Sequence, residues 1–182
     1  MKKVFILLAA GFEETEAVAT IDVLLRGEID VTSVSITGNM LVVGAHGIVV
    51  KADVLFDKAD FSLGDMLILP GGMPGASNLN AHPGAKSILK QYAADGKKVA
   101  AICAAPLVLG GLDLLQGKKA TAYPGFESTL KGATYVNSPV VKDGNIITGR
   151  GPGFAFQFGL AIVEELQGKA KADVVAEGLL LK

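Results

Sequence analysis

Three short apolar runs, at residues 4–9, 66–69 and 99–102, constrain this chain more than anything else in it. No polar side chain interrupts them, and none shows the alternation of a strand with one wet face. Runs of this kind are strands covered on both sides, as in a parallel sheet. Parallel neighbours need crossover connections, and the segments between the runs carry helical patterns. After Gly11, the spacing of Val18, Ile21, Asp22, Leu24 and Leu25 predicts one mainly apolar helix face, closed by Arg26 and Gly27. Residues 83–94 turn Ile88, Leu89 and Tyr92 inward and stop before Gly96. A short helix is expected over 104–109. A longer one follows Gly151-Pro152-Gly153 and runs to about Leu166 through Phe156, Leu160, Ile162 and Val163.

Residues 31–36 alternate and are β-branched, so they read as a further strand. Residues 39–56 read as an antiparallel excursion, with 41–43 and 48–50 joined through Gly44-Ala45-His46-Gly47. Asp143-Gly144 marks a hairpin within 140–147. The expectation is one doubly wound α/β domain over residues 1–182, with a mostly parallel sheet and helices on both faces.

Half of the 182 residues are hydrophobic, enough for a sizeable core, and the formal net charge is −1. Lys and Arg are scattered, which argues against nucleic acid as a stable partner. The apolar start resembles a secretion signal but breaks at Gly11 and runs at once into Glu13, Glu14 and Glu16, so a buried first strand fits better. No stretch reaches the roughly 18 apolar residues of a membrane span. The single cysteine, Cys103, can form neither an internal disulfide nor a cysteine-rich zinc site. The expected compartment is therefore the reducing cytoplasm, with no membrane association and no bound metal.

In an open α/β sheet, ligands bind beyond the carboxyl ends of the strands. Three features fall there: the Gly11–Glu16 segment, the Gly71-Gly72-Met73-Pro74-Gly75 loop, and Cys103 with its small neighbours Ala101, Ala104 and Ala105. A lone cysteine is ordinarily an inert core residue. Strand, sharp turn and helix around Cys103 instead match a nucleophile elbow, with the thiol facing a helix N-terminus that favours a thiolate. Glu16, about one turn into the first helix, is placed to approach it. Two anions there would compete, so one group is expected to keep its proton; a protonated Glu16 would donate a hydrogen bond to the thiolate, lowering the thiol pKa while its own rises. Glu14 needs no role beyond favourable charge at a helix start. The glycine loop lacks the Lys-Ser/Thr ending of a phosphate loop and the spacing of a dinucleotide fingerprint, so backbone N–H groups facing an oxyanion are the better reading. His82 reads as a helix-start loop residue, and His46, at the turn of the excursion, is placed to reach the rim as a pocket residue. Neither is adjacent to the nucleophile, which leaves a Cys-His-Asp triad without support.

Taken together, Gly11-x-Glu13-Glu14-x-Glu16, Leu69-Pro70-Gly71-Gly72, Ala100-Ala101-Ile102-Cys103-Ala104 and Arg150-Gly151-Pro152-Gly153 resemble the ThiJ/PfpI superfamily. They are most similar to the branch of the Parkinson-associated protein deglycase and its bacterial relatives. The resemblance runs collinearly over essentially the whole chain and implies a flavodoxin-like, class I glutamine amidotransferase-like fold and a homodimer. It also implies that Cys103 is an oxidation-sensitive nucleophile, Glu16 the protonated glutamate beside it, and Glu13 a second pocket carboxylate. Gly71 and Gly72 match the oxyanion-side glycines. Arg26 matches an arginine that reaches across the dimer toward the partner's site.

Three departures matter. Tyr123, in Ala122-Tyr123-Pro124, stands where many relatives have a histidine, and a phenol is no base near neutral pH. His46 falls where some relatives have arginine. Ala104 stands where the protease-like branch has histidine, which argues against peptidase or amidotransferase chemistry. The implied function is a cysteine-dependent, cofactor-free glyoxalase or deglycase acting on α-oxoaldehydes or glycated adducts, in defence against carbonyl or oxidative stress. The alternative is a redox sensor or redox-gated chaperone working through oxidation of Cys103. Thiamine-precursor metabolism, the superfamily's older association, finds no phosphate-binding loop to support it.

Overall fold

The computed structural model describes residues 1–181. β1 (Lys3–Leu8) shows why the first apolar run has no polar break. Val4, Ile6 and Leu8 enter one core, while Phe5 and Leu7, with Ala9 just beyond, enter another. Successive side chains of a strand point to opposite faces, so one central strand feeds two cores.

The chain continues through α1 (Glu14–Arg26), β2 (Asp30–Ser35), β3 (Leu41–Val43), β4 (Val49–Lys51), β5 (Val54–Leu55) and β6 (Met66–Leu69). Next come α2 (Gly75–Ala81), α3 (Pro83–Ala94), β7 (Lys98–Ile102), α4 (Pro106–Gly111), β8 (Lys119–Ala120) and β9 (Thr134–Tyr135). The last elements are β10 (Val140–Asp143), β11 (Ile146–Gly149), α5 (Ala155–Gln167) and α6 (Lys169–Gly178). Seven strands form the main sheet in the order β10-β11-β7-β6-β1-β2-β5, parallel throughout except for the β10–β11 hairpin. β3 and β4 form a separate antiparallel ribbon. This is a doubly wound, flavodoxin-like α/β fold. α1, α5 and α6 cover one face, and α3 and α4 the other.

The sequence reading misplaces the inward face of α1. Glu16, Ala17, Thr20, Val23 and Leu24 are buried, whereas Val18 is 49% and Leu25 54% exposed. The cause is the close approach of α1 to α5: a Cβ added at Gly159 would lie 2.9 Å from the Val23 Cβ. A seam this tight takes small and β-branched side chains, so the bulkiest apolar residues do not mark the buried stripe. Phe156 of α5 is likewise 39% exposed.

Two helices lie outside the sequence expectation. α2 has seven residues with three buried, and α6 packs only Ala172, Val175 and Ala176 inward. Neither carries enough apolar periodicity to stand out. No helix among the described residues is long and apolar enough to cross a membrane.

Candidate active site

Cys103 follows β7 directly and sits at φ +64°, a left-handed backbone that side-chain-bearing residues rarely adopt. Two hydrogen bonds hold it there. Its N–H donates to the Gly149 carbonyl at the end of β11, and its carbonyl accepts from the Tyr123 N–H, each at 2.9 Å. The strained turn lifts the side chain off the strand and toward β6, as in a nucleophile elbow. Gly71 makes room for it, since a Cβ there would lie 2.6 Å from the Cys103 Cβ. The thiol is nearly buried, at 8% exposure. Backbone N–H groups of Gly72 and Ala104 are directed at the sulfur.

The Gly11 turn and the Gly71–Gly75 loop pack backbone to backbone. The Glu13 N–H donates to the Gly71 carbonyl at 2.9 Å, and the Gly75 N–H to the Gly11 carbonyl at 3.0 Å. At Gly72, with φ +86°, a Cβ would overlap the Glu13 backbone nitrogen. This contact fixes the start of α1 beneath Cys103. Glu13 caps the helix, its Oε2 accepting from the Glu16 N–H at 2.6 Å. Glu16 is fully buried, and its Oε2 accepts from the Gly71 N–H at 2.8 Å. Oε1 makes no well-formed hydrogen bond, and the side chain that acts on this carboxyl is the Cys103 thiol.

Burial pushes the Glu16 carboxyl up to about 7, against the opposing hydrogen bonds of Cys103 and Gly71 and with the Glu13 charge adding to the rise. Burial, and then the charge and hydrogen bond of Glu16, push the Cys103 thiol up to about 12, while the Gly72 and Ala104 N–H groups pull it down. The rise of Glu16 matches the sequence expectation; the rise of the thiol does not. Both have one root, because two buried acids at one site resist carrying two negative charges. The push from Glu16 on the sulfur exists only while Glu16 is charged. With Glu16 protonated, the sulfur faces an acid proton and two N–H donors. Reactivity is therefore a property of the pair's proton count.

The other candidates divide. Ala104 is buried beside Cys103, and its N–H reaches the sulfur. Tyr123 is joined to Cys103 through the backbone, and its side chain is 46% exposed. Arg26 lies at the far end of α1 in an ion pair with Asp22 at 2.7 Å, away from the thiol of its own chain. His46 does not reach the thiol. Its Nδ1 lies 2.7 Å from Glu14 Oε2, and its ring is exposed.

Glu14 was underrated by the sequence. It is buried, and its Oε1 accepts from the His46 N–H at 2.7 Å and the Ile48 N–H at 3.3 Å. Burial raises its pKa, but the His46 and backbone hydrogen bonds outweigh that and hold it below the ordinary range. The same bond raises the His46 pKa. Glu14 thus clamps the β3–β4 turn onto the start of α1; Gly44, which lacks a side chain, admits its carboxylate. Glu13, Glu14 and His46 bring potential ligand atoms within 4.8 Å of one another. Their own hydrogen bonds already occupy the Glu14 carboxylate.

An open parallel sheet with a strained cysteine at one strand end and a buried acid against it defines a thiol-centred α/β protein of the nucleophile-elbow type. The chain matches the DJ-1/PfpI family over residues 2–165 and belongs to it. It is 45% identical over 184 residues to protein DJ-1 homolog A of Arabidopsis thaliana, covering all of this chain and 47% of that protein. The chain thus spans about half the length of the Arabidopsis relatives it matches. A protein named deglycase from Pyrococcus horikoshii is 36% identical over 153 residues, 82% of this chain and 90% of that one. The structure of oxidized DJ-1 from Toxoplasma gondii superposes with a TM-score of 0.95 at 37% identity, covering 99% of this chain and 98% of that chain.

The raised Glu16 pKa sets a sign for stability. Below about 4.5, folded and unfolded chains both keep this proton; between 4.5 and about 7 only the folded chain does, so stability falls as pH rises through that window. Glu16→Gln removes the effect. Between pH 4 and pH 8 the variant should gain on the order of 2–3 kcal/mol relative to wild type in urea unfolding. An unchanged difference at the two pH values contradicts the assignment.

Proposed function

We propose that this protein is a cofactor-free thiol enzyme of glyoxalase or deglycase type, acting on α-oxoaldehydes or their adducts. The observation that carries the reading is the Cys103–Glu16 pair itself: a nearly buried thiol with a proton-holding acid against it and two N–H donors on the sulfur. The family and its deglycase-named member add support.

The thiolate adds to the aldehyde carbon, and the carbonyl oxygen takes a proton, giving a hemithioacetal. Glu16 moves the proton from C1 to C2, converting the adduct to a 2-hydroxyacyl thioester. N–H groups of the glycine loop steady the oxygen as charge develops on it. Water then cleaves the thioester, freeing the hydroxy acid and the thiol. The net change adds one water to the oxoaldehyde and needs no oxidant, metal or organic cofactor. Purified protein should convert methylglyoxal to lactate. Cys103→Ala should abolish this, and Glu16→Gln should slow it by about 10²-fold or more. Lactate formed at equal rates by wild type and Cys103→Ala would sink the proposal.

A second reading, redox sensing, is favoured by the sulfur's surroundings and by the oxidized state of the Toxoplasma relative. With a single cysteine there is no resolving thiol in the chain, so a sulfenate proceeds to sulfinate, which Glu16 and the two N–H groups stabilise. Mild peroxide should add two oxygens to Cys103 by mass spectrometry; an unmodified thiol excludes this role.

We also propose a homodimer. Exposed Val18 and Leu25 on α1, with Leu41, Val43, Ile48 and Val49 on the ribbon that Glu14 ties to α1, form the apolar surface that pairing would cover. Arg26 stands on the same helix. Sedimentation should give twice the chain mass; a single-chain mass contradicts it.

A further inference from the structure

The Cys103 turn has a neighbour that the reaction above leaves unused. A cavity of about 260 Å³ lies beside it, walled by Tyr123 and Pro124 on one side and by residues 150–154 on the other. Both walls are anchored to the nucleophile. The Tyr123 N–H donates to the Cys103 carbonyl, and the Cys103 N–H donates to the carbonyl of Gly149, the residue before Arg150. Gly151 lets the walls close in, since a Cβ there would sit 3.1 Å from the Tyr123 ring.

The lining is mainly apolar except for Arg150. The Arg150 Nε is buried and has no hydrogen-bond partner. No carboxylate among the described residues pairs with its guanidinium. Buried donors are almost always satisfied, so an unsatisfied one at a cavity wall points to an acceptor that enters from outside. A guanidinium presents a planar fork that matches a carboxylate with two parallel hydrogen bonds. The cavity holds the volume of several waters, enough for a tail of a few carbons.

We infer that this cavity is a tail subsite of the Cys103 site, and that Arg150 makes it selective for small carbonyl compounds whose far end is a carboxylate. The inference rests on the carbonyl-substrate reading of Cys103. In that arrangement the aldehyde carbon meets the sulfur, the short chain lies along Tyr123, Pro152 and Phe154, and the carboxylate satisfies Arg150.

Two experiments on the full chain test it, and the first does not depend on turnover. 5-Bromo-4-oxopentanoate and its methyl ester both alkylate Cys103 through C5 by losing bromide. They carry the reacting carbon and the chain end at the spacing of 4,5-dioxopentanoate and differ in the carboxylate charge. The acid-to-ester rate ratio should fall about tenfold in Arg150→Gln, with Arg150→Lys between the two. The second compares 4,5-dioxopentanoate, an α-oxoaldehyde with a terminal carboxylate, with methylglyoxal. Its product is 2-hydroxyglutarate, and the ratio of kcat/KM values should fall by a similar factor in Arg150→Gln.

An alkylation ratio identical in wild type and Arg150→Gln overturns the subsite, whatever the turnover. A shifted alkylation ratio with neither aldehyde turned over supports the subsite and sinks the enzymatic reading instead. Turnover of both aldehydes with an unchanged kcat/KM ratio overturns the substrate class.

Discussion

Glu16, fully buried against the Cys103 thiol, is the contact around which the rest of this structure is arranged. Neither group is comfortable alone. A carboxyl without solvent resists ionisation, and a thiol beside a carboxylate does so more strongly. Held together with one proton between them, the carboxyl and the thiol titrate as a coupled pair. That arrangement needs a helix that starts immediately under Cys103, and the Glu13 cap and Gly11 turn supply the start. It also needs no side chain between the two groups, which explains glycine at position 71, while glycine at 72 lets the loop pack on the backbone that starts the helix.

The sheet makes this uncomfortable pair tolerable. β1, β6 and β7 are adjacent and parallel, so their carboxyl ends deliver Glu16, the glycine loop and Cys103 to one rim. Cores on both faces hold the strand ends rigid while Cys103 keeps a left-handed backbone. A site that destabilises itself at neutral pH is a common mark of function, because stability alone would select a different residue at position 16. Glu14, two residues away, has the opposite character. Its carboxylate is ionised and satisfied, and it secures the β3–β4 ribbon to the same helix.

How much of this the sequence made legible depended on whether a residue's neighbours were local. The central strands were legible because burial on both faces leaves an unbroken apolar run. The elbow was legible because strand, turn and helix are contiguous around Cys103. The face of α1 was not, since Gly159, 136 positions from Val23, decides which side chains fit the seam. Glu14 and Glu16 look alike as charges at a helix start. The one-turn offset of Glu16 pointed it toward the thiol, but only the fold shows Glu14 facing the ribbon. Arg150 was read as part of a motif, and its lack of a partner has no signal in sequence at all.

The central claim is that Cys103 and Glu16 titrate as one unit, and the pH dependence of Cys103 alkylation by iodoacetamide tests it most directly. In wild type the rate should change at two inflections, one near 7 where Glu16 loses its proton and one far higher where the thiol, held up to about 12, loses its own. In Glu16→Gln the lower inflection should vanish and the upper one should fall, because the charge and hydrogen bond that Glu16 adds to the rise of the thiol are gone. Inflections that coincide in the two proteins at about 8.5, the value of a free thiol, would show that Glu16 does not share its proton with Cys103.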